Sequence, residues 1–76
     1  MDKDVVELYD TFTELAKELS CRQIAELYRN DKEEEGGFEV SKLMNDSITL
    51  RSKIFMVYIT KGCGVNFIAV KKRHIF

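Results

Sequence analysis

Proline is absent from this sequence, histidine occurs once and cysteine twice. No linker, low-complexity tract or internal repeat interrupts the chain, so its 76 residues are expected to form a single domain, 1–76. The two thiols, Cys21 and Cys63, are too few and too far apart for a disulfide framework. The longest apolar run, Ile54 to Ile59, is far short of the ~20 residues that a membrane-spanning helix needs. The start, Met1-Asp2-Lys3-Asp4, is acidic where an export signal is basic. The expected location is therefore cytoplasmic, with no membrane partner and both thiols reduced.

Scarce histidine and cysteine also limit the chemistry. A hydrolytic or redox site needs a nucleophile, a base and an orienting group near each other. His74 lies near the C-terminus, Cys21 opens a predicted helix as a small apolar residue, and Cys63 sits at a predicted hairpin tip. Zinc needs three or four N/S ligands with at least one close pair, which these three residues do not contain. Gly62-x-Gly64 joins two predicted strands and lacks the following helix whose amides would hold a phosphate. A non-enzymatic protein without metal or cofactor is expected.

A third absence carries the most information. No acid follows Asp46. Residues 1–46 hold all thirteen acids and six bases, −7 in sum, while 47–76 hold the other six bases, +6; the net charge of −1 is a cancellation. With 45% hydrophobic residues, three tyrosines and five phenylalanines, the composition is that of a folded domain.

Val5, Leu8, Tyr9, Phe12, Leu15, Ala16 and Leu19 keep helical spacing, and Asp2 and Asp4 suit the positive end of a helix dipole, which predicts a helix over about 3–19. The apolar stripe then restarts in a new phase at Cys21, Ile24, Ala25, Leu27 and Tyr28. Ser20 and Gln23 form the S-x-x-Q pattern of a capping box, so a second helix is expected over about 21–30. Residues 30–37, with four acids and a Gly-Gly end, read as an acidic loop. Phe38, Val40, Leu43 and Met44, with Ile48 just beyond, suit a short third helix, about 38–46, with a strand through Phe38-Glu39-Val40 as the alternative. Two β-branched and aromatic runs flanking Lys61-Gly62-Cys63-Gly64 predict a hairpin of about 53–60 and 65–72. The expected fold is α+β: three helices followed by a C-terminal antiparallel β-hairpin.

Arg51, Lys53, Lys61, Lys71, Lys72 and Arg73, interleaved with Phe55, Tyr58, Phe67 and His74, would put positive charge at both ends of that hairpin, where it can contact phosphates. The alternative is that these bases face the acidic helices or guard an edge strand. Leu19-Ser20-Cys21-Arg22-Gln23-Ile24-Ala25-Glu26-Leu27-Tyr28 resembles the first helix of a helix-turn-helix, and the hairpin is similar to the wing of winged-helix proteins. The resemblance implies a DNA-binding transcriptional regulator. Its helix 38–46 would enter the major groove with Ser41, Lys42 and Asn45 towards the bases, and Lys61 with Arg51 or Lys53 would serve the phosphates.

The acidic half supports a different expectation. Helix one and the loop residues Glu33, Glu34 and Glu35 would engage a basic protein partner, in the manner of the single compact domains that viruses and mobile elements encode to modulate host proteins. Pairing of exposed hairpin edges would add a homodimer.

Overall fold

A computed structural model describes residues 2–30 and 37–74. Two helices, α1 (Lys3–Glu18) and α2 (Cys21–Asn30), precede four strands, β1 (Glu39–Leu43), β2 (Ser47–Arg51), β3 (Phe55–Lys61) and β4 (Asn66–Lys72). The strands form one antiparallel sheet in sequential order. Both helices lie on one face, α1 over β4 and β3, α2 mainly over β1 and β2.

The helix boundaries have local causes. Asp2 caps α1, its carboxylate accepting from the amides of Asp4 at 2.9 Å and Val5 at 3.4 Å. Between the helices, the Ser20 amide donates to Gln23 Oε1 at 2.8 Å and the Gln23 amide to Ser20 Oγ at 3.1 Å, the reciprocal pair of a capping box. The new phase lets α2 bury Cys21, Ile24, Ala25 and Tyr28. These meet Phe12 and Ala16 of α1 and the inward residues Ile48, Leu50, Val57 and Ile59 of the sheet. Phe12, Tyr28 and Phe38 form a ring cluster, with centroids 5.5 to 6.2 Å apart, that joins both helices to the chain entering β1.

The expected third helix over 38–46 does not exist. Its residues form β1 and the turn into β2, so the three-helix, winged-helix-like architecture is replaced by two helices and a four-stranded sheet. The helical spacing of Val40 and Leu43 comes from a β-bulge. Val40 pairs with Leu50 and Lys42 with Thr49, which leaves Ser41 as the extra residue. One added residue turns a period of two into a step of three, so Val40 and Leu43 share the core face as they would on a helix turn. Ser47-Ile48-Thr49-Leu50-Arg51 does alternate strictly, with Ile48 and Leu50 buried, and that signal identifies the strand the helix reading passed over. The expected hairpin is present as β3 and β4, but β3 is an interior strand; its Cys63-Gly64 loop uses Gly64 at φ 75°, a left-handed conformation suited to glycine. Only β4 contributes an exposed edge from that hairpin.

Candidate nucleic-acid interface

Strand alternation sorts the basic residues into two sets. Phe55, Val57, Ile59 and Lys61 of β3 face the helices together with Asn66, Ile68, Val70 and Lys72 of β4. Both lysines of this set have partners in the helical layer, Lys61 part-buried and Lys72 about half exposed. Lys61 donates from Nζ to the carbonyl oxygens of Ala16 at 2.6 Å and Leu19 at 2.9 Å, and Asn66 Nδ2 adds a 3.2 Å bond to Ala16 O. A cation thus satisfies carbonyls at the negative end of α1. At the other end, Lys72 Nζ lies 2.6 Å from Asp2 Oδ2, a hydrogen bond that holds the Asp2 carboxyl below its ordinary pKa and the Lys72 ammonium above its own. Arg73 donates from Nη1 to Ser52 O at 2.7 Å and from its amide to Ile54 O at 2.7 Å, bracing the β2–β3 turn.

The second set lies on the face away from the helices. The register groups it into three cross-strand rows. Glu39, Arg51, Met56 and Lys71 form the first, Lys42, Thr49, Tyr58 and Ala69 the second, and Ser47, Thr60 and Phe67 the third. Neither helix covers this face, and Tyr58 and Phe67 are 39% and 63% exposed on it. Lys42, Arg51 and Lys71 are the cations there. Arg51 reaches Glu39 at 3.6 Å, both side chains about half exposed, and no carboxylate among the described residues pairs with Lys42 or Lys71. Such a weak exposed pair leaves Arg51 available to a ligand.

The remaining sequence-derived candidates are dispersed. Ser41 sits in the bulge and Asn45 in the β1–β2 turn, so neither they nor Lys42 belong to a recognition helix. Lys53, in the β2–β3 turn, borders a cleft of about 540 Å³ whose opposite wall carries Asp4 and Glu7. Lys61 borders another, of about 470 Å³, with Glu18 and Asp46. Carboxylates in both clefts disfavour an anion, and the open sheet face remains the surface suited to one. Glu33, Glu34 and Glu35 lie outside the described residues. No cluster of three His, Cys, Asp or Glu residues suited to a metal ion occurs among the described residues, and none of their helices is long and apolar enough to cross a membrane.

Tyr58 and Phe67 were visible in the sequence as aromatics among bases, but nothing there separated them from Phe55, which packs against the core. The separating signal is parity along each strand combined with the β3–β4 register, which places Thr60 opposite Phe67 and Tyr58 opposite Ala69. Comparison with protein-family models, with curated proteins and with solved structures gives no match.

Proposed function

We propose that this protein is a small non-enzymatic cytoplasmic regulator that binds nucleic acid through the open face of its sheet. The observation that carries the reading is the gathering of Lys42, Arg51 and Lys71 with two exposed aromatic rings on the face opposite the helices. Cations supply the phosphate contacts and rings supply surfaces on which bases stack. Helix α1, with five acids and two bases, lies on the other layer, so the overall charge of −1 does not describe the surface that meets the ligand.

Fluorescence anisotropy with labelled oligonucleotides at increasing salt tests the reading. Affinity is expected to fall steeply with salt, and the double variant Lys42→Ala/Lys71→Ala is expected to flatten the slope of log K against log salt by roughly 1.4 to 1.8. Absence of binding to RNA or DNA at low salt, or binding indifferent to that double variant, refutes it.

A second reading is favoured by one observation on the helical layer. Glu7, Asp10, Glu14 and Glu18 are all exposed on α1 at spacings of three or four residues, which places them near one another on its surface. A basic protein partner would meet that stripe. Pull-down from a host lysate with the wild type and with the four residues changed to glutamine or asparagine tests it, since a partner retained equally by both excludes the stripe.

A further inference from the structure

We infer that the open sheet face takes a single strand of nucleic acid rather than a duplex, laid diagonally from Phe67 on β4 across Tyr58 on β3 towards Arg51 on β2. The inference rests on the nucleic-acid reading above and names its ligand.

The three residues occupy successive rows on successive strands, because Phe67 is opposite Thr60, Tyr58 opposite Thr49 and Arg51 opposite Met56. Diagonal neighbours on one face of a sheet are about 7–8 Å apart. Bases stacked in a duplex follow one another at about 3.4 Å, less than half that distance. One base on each ring therefore requires a strand whose bases are splayed, which an unpaired strand permits and a duplex does not.

The shape of the face agrees. Four strands at about 4.8 Å spacing span roughly 14 Å between the outer two, wider than the ~12 Å major groove. Among the described residues no helix projects from this side, so the base edges of a duplex stay out of reach. Splayed bases instead come down onto Tyr58 and Phe67, whose exposure leaves ring surface available to them. The cations flank this diagonal: Lys71 shares β4 with Phe67 at the far end of the face, and Lys42 lies beyond Thr49 in the row of Tyr58. A backbone following the diagonal has an ammonium on either side and a guanidinium at its end. The hydroxyls of Ser47, Thr49 and Thr60 on the same face supply polar groups beside the rings.

The test compares a labelled thymidine octamer, a uridine octamer and a 16-base-pair duplex at one salt concentration. At least one single strand is expected to bind tenfold or more tightly than the duplex. Phe67→Ala and Tyr58→Ala are each expected to weaken single-strand binding by about 5- to 150-fold, the range that loss of one base–aromatic stack gives. Phe67→Tyr and Tyr58→Phe should retain it. All four positions changed are on the solvent side, and unchanged melting curves would show that the fold is intact. Duplex bound as tightly as single strand, or ring deletions without effect while Lys42→Ala/Lys71→Ala still weakens binding, overturns the inference and leaves the nucleic-acid reading standing. Failure of all three probes to bind at low salt overturns both.

Discussion

The Lys61 ammonium lies 2.6 Å from the carbonyl oxygen of Ala16, so a residue at the end of β3 satisfies a last-turn carbonyl of a helix forty-five positions earlier in the chain. With Leu19 O at 2.9 Å it also bridges the end of α1 to the start of the connection into α2. The contact makes Lys61 a structural cation. Lys61→Met is expected to lower stability by about 1–2 kcal/mol, from the loss of two charge-assisted hydrogen bonds at a helix C-terminus. Urea denaturation measures that loss. Nucleic-acid affinity of the folded variant should stay unchanged, in contrast to Lys71→Ala.

The Asp2–Lys72 pair holds the opposite end of α1 and gives stability a defined pH dependence. Asp2 is shifted down from 3.8, first by the hydrogen bond from Lys72 and then by the amides of Asp4 and Val5; its contribution is present above 3.8 and lost as pH falls through the lowered value. Lys72 is shifted up from 10.5 by Asp2, so its contribution is present below 10.5 and lost as pH rises through the raised value. Asp2→Asn keeps a capping side chain but removes the charge. The stability difference between wild type and Asp2→Asn should be flat from about pH 5 to 9 and shrink in more acidic solution. A difference that persists unchanged to pH 2 would show that the pair contributes nothing.

Deleting Ser41 removes the bulge while leaving Val40 inward, Lys42 outward and Leu43 inward. The variant is expected to fold cooperatively, with a melting temperature close to wild type. Deleting Thr49 from β2 breaks the alternation that buries Ile48 and Leu50, and should abolish the cooperative transition. Thermal melts followed by circular dichroism distinguish the two.

The thiols should react at separate rates. Cys63 is exposed in the β3–β4 turn, whereas Cys21 is 1% exposed and burial pushes its pKa up. A chromogenic disulfide reagent at pH 8 is expected to titrate one thiol rapidly and the second only as fast as the protein opens, with both reacting at once in denaturant. Rapid reaction of both thiols in the native protein would contradict the burial of α2.

Much of the helical part was legible in the sequence because its determinants are local. The stripe Leu8, Phe12, Leu15 and Ala16, the Asp2 cap and the Ser20–Gln23 box all act within a turn or two. The sheet was only half legible. β3 and β4 declare themselves through β-branched and aromatic runs, but the Ser41 bulge gives β1 the spacing of a helix and thereby conceals β2 as well. The candidate site suffered for a related reason. Lys61 and Lys71 look equivalent as bases near a hairpin, yet one faces α1 and the other faces solvent.

The sequence alone determined that acids crowd the first 46 residues, that no acid follows, and where each helix begins and breaks. Tertiary structure alone decided which bases are tied to the helical layer. Helix phase is set by neighbours three or four positions away, but the direction of a strand side chain acquires meaning only when register, bulge and the face chosen by the helices are known. Docking α1 and α2 on one face consumed Lys61 and Lys72 and left Lys42, Arg51 and Lys71 beside Tyr58 and Phe67 on the other.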